Sequence, residues 1–382
     1  MSAINRAVTQ FDVNAWRESE FPITREYIYL DNAAMSPLPT RVRDSIASFH
    51  EFRSLHGAAF DAWWDEVEMV RSKVAALIGS HPDEISFTQN TSMGLNLLAQ
   101  GLPLQRGDNV IISDLEFPSN VYPWMNLQHK GIEVRFVRNK DGRLSISDME
   151  RLVDKKTKLI SLSFVEAGNG FKNDLKVISN LCKQHDIFFV VDAIQGLGVQ
   201  KIDVEELQID FLVSGFFKWL CGPDGLGFVY CSKKMLDSID PPFVSWTSME
   251  DKFNYSTYDF NLSQTSRRFE TGNLNFSAIR GVHKGLDLLN EVGSHIIYHQ
   301  VMELANYIRS CVSRLGNVTC LSNFDEANQS HILLLQCSDV DDCFERLKQK
   351  NIIVNKRNGL RISPHFYNTK EEIDQLLDII IK

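Results

Sequence analysis

Long apolar runs are missing from this 382-residue chain. No stretch approaches the ~20 consecutive apolar residues that cross a bilayer, and Met1 to Trp16 carries polar and charged residues where a signal peptide would need an apolar core. A cytoplasmic protein with no membrane partner is the expectation. Positive charge is also short, 40 Lys and Arg against 49 Asp and Glu, for a net charge of −9. Phosphate backbones are bound by clustered cations, so no nucleic-acid partner is expected. Cysteine is sparse: seven residues, at 182, 221, 231, 311, 320, 337 and 343, without close pairs. That pattern fits reduced thiols and offers no metal spacing. His295 and His299 lie four apart, but Ile-Ile-Tyr between them lacks the glutamate of a metalloprotease motif, so no metal site is assigned. Internal repeats and low-complexity linkers are absent too.

What is present is ordinary globular composition, 43% hydrophobic and 23% charged, in a chain long enough for two domains around a large buried sheet. Short β-branched apolar runs alternate with helical patterns through the first two thirds. Strands are expected near Glu84–Thr88, Asn109–Asp114, Glu133–Val137, Leu159–Val165, Phe188–Val191 and Phe211–Ser214. Val67, Val70, Val74 and Leu77 recur at helical spacing, and Ser147-Asp-Met-Glu150 reads as a capping box that starts another helix. Such alternation implies a parallel, doubly wound sheet. From Gly293 the pattern changes to a long helix, short strands and a terminal helix, a small α+β domain. The expected division is an N-terminal segment, 1–22, packing with the small domain, a large domain, 23–290, and a small domain, 291–382.

Chemistry concentrates between Phe188 and Gly227. Asp192 ends one buried strand, at the edge where open α/β sheets bind ligands. Lys218 follows the next strand, between Phe217 and Trp219. Apolar surroundings disfavour an ammonium ion, so the amine of Lys218 is expected to be partly neutral and able to form a Schiff base. Pyridoxal phosphate needs such a lysine, together with a carboxylate that keeps its pyridine nitrogen protonated, and Asp192 fits the second role. Gln195 is placed to hydrogen-bond the phenolic oxygen of the ring. Gly222, Gly225 and Gly227 around Pro223 permit a tight turn against the site. Gly196-Leu-Gly198 does not complete a dinucleotide fingerprint, because Lys201 stands where a small residue is required. Gly227 is followed by Phe228, which excludes a P-loop.

The pattern Asp192-Ala-Ile-Gln195, Lys218-Trp-Leu, then Gly222-Pro-Asp-Gly-Leu-Gly227 resembles the class V aminotransferase family of fold-type I pyridoxal phosphate enzymes. The likeness runs from Tyr29-Leu-Asp-Asn-Ala-Ala34 to Arg361-Ile-Ser-Pro-His-Phe-Tyr-Asn368. It implies a large, mainly parallel sheet domain with a small α+β C-terminal domain. It implies that Thr91 and Ser92, at a helix N-terminus, hold the cofactor phosphate, and that Phe117 stacks over the pyridine ring. By the same resemblance Ala33 lies beside the substrate, Arg361 grips its carboxylate with a bidentate fork, and Asn273 reaches the phosphate of the other subunit in a homodimer with shared sites.

Three departures shape the functional expectation. No cysteine lies between Asn351 and Arg361, where desulfurases of this family carry a persulfide-forming thiol; the nearest upstream is Cys343, on an expected helix. Phe117 and Phe217 stand where desulfurases have histidine. Gly215 replaces a phosphate-binding serine, with Ser214 one place early. The expected activity acts on an α-amino acid by removing its Cα proton, foremost as a desulfurase-like β-eliminating carbon–sulfur lyase that stores no persulfide. Transamination follows, then epimerisation; a non-catalytic pyridoxal-binding scaffold is the non-enzyme alternative.

Overall fold

The computed structural model describes residues 11–381; residues 1–10 of the expected N-terminal segment, and Lys382, lie outside the described residues. The helix Val13–Glu20 is capped by Asp12, whose carboxylate accepts from the N–H groups of Asn14 and Ala15. It lies against the C-terminal segment: Arg17 donates to the Tyr367 carbonyl and pairs with Glu372, and Phe21 stacks on Tyr367 with ring centroids 4.0 Å apart. The chain then enters β1, Ile28–Tyr29.

Eight strands in chain order follow, seven of them joined in one sheet with β8 last: β2 (Ile85–Thr88), β3 (Asn109–Ser113), β4 (Glu133–Val137), β5 (Thr157–Ser163), β6 (Phe188–Asp192), β7 (Phe211–Gly215) and β8 (Gly227–Cys231) complete the large sheet; β9 (Val318–Cys320) opens the small domain. Their order is β2-β8-β7-β6-β5-β3-β4, and only β8 runs against its neighbours. The central strands are buried on both faces, which is why β6 and β7 read as continuous apolar runs rather than alternating ones. The helix Phe60–Ile78 turns Val67, Val70 and Val74 into the core as their spacing predicts. The expected capping box sits two residues early, because Ser145 rather than Ser147 caps the helix Ile146–Glu150.

The small domain adds β10 (Leu333–Cys337), β11 (Ile352–Ile353), β12 (Asn355–Arg357) and β13 (Gly359–Ile362), with β12-β13-β10-β9 forming an antiparallel sheet. One face packs on the helices Ser294–Val312, Val340–Gln349 and Lys370–Ile380. The stretch 28–31, assigned from sequence to the large domain, hydrogen-bonds here instead: β1 pairs in parallel with β11, and Asp31 bridges to Ser363. We propose the small-domain boundary at Gly293, where the long helix Phe276–Val292 ends with the glycine at φ 91°.

A buried ion pair locks the edge of the large sheet. Arg71 donates to Glu270 and to the Ile85 carbonyl, while Glu270 also accepts from the Phe87 N–H. Both side chains are almost wholly excluded from solvent, so removing one partner strands a charge, at a cost of about 3–5 kcal/mol. Glu270→Ala is therefore expected to lower the melting temperature markedly. An unchanged melting curve would mean that Glu68, the guanidinium's second partner, satisfies it alone.

Candidate active site

Parallel pairing fixes the centre of the site. β6 is in register with β5 through Ser163 and Asp192 and with β7 through Asp192 and Val213, so the chain leaves β5, β6 and β7 at one edge. Lys218 comes three residues past β7, in a turn closed by the Cys221 N–H to the Lys218 carbonyl and the Gly222 N–H to Phe216. Its side chain is 9% exposed. The Nζ lies 5.8 Å from the ring centre of Phe117 and 5.7 Å from that of Phe217, and has no hydrogen-bond partner among the described residues. Burial brings the lysine pKa down to about 8, against the pull of Asp192, so a useful fraction is neutral amine near pH 7.

Asp192 is buried, and desolvation pushes its carboxyl up to about 6 even though the Ile194 N–H donates to Oδ1 at 3.0 Å. Close behind it lies an acidic cluster that sequence reading missed. Glu116 accepts from the Ser163 N–H at 2.7 Å, from the Ser163 hydroxyl at 2.6 Å and from Asn120 at 2.9 Å. Glu166 accepts from Asn173, and its other carboxyl oxygen has no partner. Burial raises Glu116 to about 7 and Glu166 well above the usual carboxylate range, with the charge of Glu116 adding to the effect on Glu166. A fully buried glutamate with an idle oxygen is held as the neutral acid, which leaves Asp192 the most readily ionised of the three.

Gln195 is more constrained than its sequence position suggests. Its Nε2 donates to the Ala33 carbonyl at 2.9 Å and its Oε1 accepts from the Trp219 indole at 2.9 Å. Because an indole N–H only donates, the amide orientation is determined, and one N–H of Nε2 remains for the phenolic oxygen. Ala33 is buried with both backbone groups engaged, since its N–H donates to Ser363. Any contact it makes with substrate is through its methyl group.

At the opposite wall the helix Thr91–Gly101 begins with Asn90 as cap. The Thr91 hydroxyl is buried without a partner, and Ser92 lies 2.7 Å from the hydroxyl of Ser119. Ser119 went unnoticed in the sequence, where only its position two residues after Phe117 hinted at it. Gly94 has no room for a side chain: an added Cβ would lie 2.6 Å from Val229, so the helix docks directly on the sheet. Ser214 does not substitute for the missing serine, because its hydroxyl turns back onto the Gly215 carbonyl at 3.1 Å. Phe117 is 40% exposed, its ring facing Lys218 across the site. Asn273 is exposed and shares no hydrogen bond with the other eight candidates.

Arg361 requires a correction. It is neither solvated nor idle: on the buried face of β13 it donates to the Ala167 carbonyl at 2.9 Å and to Asp31 Oδ1 at 3.1 Å. Asn355 holds the other oxygen of Asp31 at 2.9 Å. The guanidinium fork is therefore not free but shared with Asp31, and Nε has no partner among the described residues. The Asp31 role was legible only as one letter of the Leu-Asp-Asn-Ala-Ala turn. The cysteines agree with the sequence reading: Cys343 is buried, and none of the seven is exposed.

A buried lysine of lowered pKa, an acid at the neighbouring strand end and an orphaned hydroxyl at a helix N-terminus fit pyridoxal phosphate. Fold and site together define a fold-type I pyridoxal phosphate enzyme. The chain matches the family Aminotransferase class-V over residues 28–376 and belongs to it; pyridoxal phosphate is its cofactor. A "Probable cysteine desulfurase" of Pyrococcus abyssi is 31% identical, covering 94% of this chain and 95% of its own length. The "Uncharacterized aminotransferase YcbU" of Bacillus subtilis is 27% identical, over 94% and 95% of the two chains. Among solved structures, the apo cysteine desulfurase of Thermococcus onnurineus superimposes with a TM-score of 0.87 at 26% identity, covering 96% of each chain.

Ionisation of Asp192 in the folded protein is opposed by burial. With a folded pKa of about 6 above the unfolded value, the stability it favours is present at low pH and is lost as pH rises through about 4 to 6. Asp192→Asn apoprotein is thus expected to match wild type near pH 4 and to exceed it by about 3 kcal/mol above pH 7. Equal melting temperatures at pH 8 would contradict the assignment.

Proposed function

We propose that this enzyme acts on an α-amino acid as a cysteine desulfurase-like carbon–sulfur lyase. The observation that carries this reading is the buried amine of Lys218, brought down to about 8, at the same sheet edge as the Asp192 carboxylate. Bound pyridoxal phosphate supplies an electron sink for the pair left on Cα when its proton departs. Lys218 would anchor the cofactor, and its amine, when free, would be the base for the Cα proton, because Phe117 and Phe217 offer no titratable alternative on that face. Asp192 would hold a proton on the pyridine nitrogen, and Glu166, carrying its own proton, adds no charge beside that pair. Thr91, Ser92 and Ser119 ring the phosphate end. Gln195 gives its remaining N–H to the phenolic oxygen, and Ala33 borders the substrate.

Arg361 orients the substrate carboxylate while Asp31 holds the guanidinium in place. We read the missing thiol between Asn351 and Arg361 as a lyase that releases sulfur directly, with cysteine and one water yielding sulfide, pyruvate and ammonia. Transamination is the second reading, favoured by the aminotransferase name of the Bacillus relative. Epimerisation ranks third, since it asks for a second base that the site does not offer. The functional unit is proposed to be a cytoplasmic homodimer in which Asn273 reaches the partner's phosphate site. Exposed Phe253, Tyr255, Tyr258 and Phe260, in one loop just before that segment, are apolar surface a partner would cover.

Borohydride reduction followed by peptide mapping is expected to place the cofactor on Lys218; an adduct on another lysine would overturn the anchor. Purified protein given a panel of amino acids and cysteine derivatives is expected to release pyruvate from substrates with a sulfur leaving group. Stoichiometric build-up of the cofactor's amine form, reversed by a keto acid, would make it an aminotransferase instead. No turnover of any amino acid would favour the scaffold. Arg361→Lys keeps the charge but loses the planar fork shared by Asp31 and Ala167, so KM should rise about tenfold or more; an unchanged KM would remove Arg361 from the substrate site.

A further inference from the structure

Arg361 is not the only cation on its face of the small-domain sheet. β12 and β13 are antiparallel with Asn355 opposite Arg361 and Arg357 opposite Gly359. Residues directly across an antiparallel ladder share a face, as do residues two apart on one strand. Asn355, Arg357 and Arg361 therefore project from the same face. For two of the three the side chains show it directly: Asn355 and Arg361 converge on the two oxygens of Asp31. Lys356 points the other way, to an ion pair with Asp341.

The two arginines differ in how they are used. Arg361 is buried, with its charge offset by Asp31. Arg357 is exposed and has neither an ion pair nor a side-chain hydrogen bond among the described residues. It is nevertheless within electrostatic range of the reaction centre. After burial and Asp192, the charges of Arg361 and Arg357 both act on Lys218, and Arg357 also opposes the ionised form of Arg361. An unpaired guanidinium is thus carried on the strand next to that of Arg361, at the diagonal position of the ladder, about 7–8 Å away. The acid groups of a four- or five-carbon amino diacid lie about 4–5 Å apart, and a flexible arginine side chain closes the remainder.

We infer that Arg357 is a specificity residue that receives a second anionic group on the substrate side chain, so that the preferred substrates are sulfur-bearing α-amino acids with an acid group on or beyond the departing sulfur. The inference rests on the proposed amino-acid chemistry for its meaning, but its test does not need turnover. Guanidinium–carboxylate pairs are strong and geometrically selective, whereas a neutral side chain gains nothing from Arg357.

The experiment is calorimetric titration of the pyridoxal phosphate-loaded protein with succinate and with butyrate, four-carbon acids with two carboxylates and one. Wild type should bind succinate at least about tenfold more tightly than butyrate. Arg357→Gln should abolish that preference and leave butyrate binding unchanged; Lys356→Gln, on the opposite face, should retain it. Equal binding of the two acids by wild type overturns the inference. So does an Arg357→Gln variant that loses both acids equally, which would make Arg357 part of the α-carboxylate site, or a Lys356→Gln variant that behaves the same, which would reduce the effect to net charge. A protein inactive on every amino acid still reports on the arginine pair in this titration, so failure of the lyase reading and failure of this inference are distinguishable.

Discussion

Three parallel strands that end at one edge of the sheet impose the constraint from which the site follows. β5, β6 and β7 bring Ser163, Asp192 and the turn bearing Lys218 together in a dry environment, and desolvation acts on acid and base in opposite senses. It raises Asp192 to about 6 and lowers Lys218 to about 8. Their mutual attraction works against both shifts. Near neutral pH the acid is mostly charged and the amine is partly neutral, the combination required to hold a pyridine proton and accept one from carbon.

Of the surrounding carboxyls, Glu166 stays neutral, while Glu116, raised to about 7, is only partly ionised near neutral pH. Glu116 and Glu166 find only hydroxyl, amide and backbone donors, with no buried cation among the hydrogen-bond partners of either. Two further full negative charges beside Asp192 would be expensive in a low-dielectric interior, so burial keeps the proton on Glu166 and part of the time on Glu116. Serine and asparagine hold these acids in position without supplying the charge that would ionise them.

Interdomain hydrogen bonds make the substrate side of the site depend on how the two domains meet. Arg361, from the small domain, joins Ala167 of the large domain to Asp31 near the start of the chain. His331 bonds to the Gln195 carbonyl, and Ser330 to that of Gly170. Gly170 has φ 74° and packs against the Ile332 carbonyl so closely that a Cβ would collide with it. The loop 166–170 therefore carries a neutral glutamate at one end and a domain contact at the other, with the Arg361 acceptor between them. A shift in domain packing would reach the Arg361 guanidinium directly.

Sequence by itself determined the large sheet, because buried parallel strands must be continuous apolar runs and helices must carry apolar residues at 3.6-residue spacing. It also singled out Lys218 and Asp192 as residues near neighbouring strand ends, which is where they lie in the fold. Only tertiary structure decided that 28–29 pairs with β11 in a two-stranded sheet, that Ser145 caps its helix, that Gln195 is oriented by Trp219 and that Arg361 is shared with Asp31. These contacts link residues as far apart as Asp31 and Arg361, and hydrogen-bond partners at that separation leave no periodic trace in the chain. Arg357 lies between the two cases. Its residue type was visible from the start, but its relation to Arg361 depends on strand register, which is set by pairing across the sheet rather than by the three residues of chain that separate them.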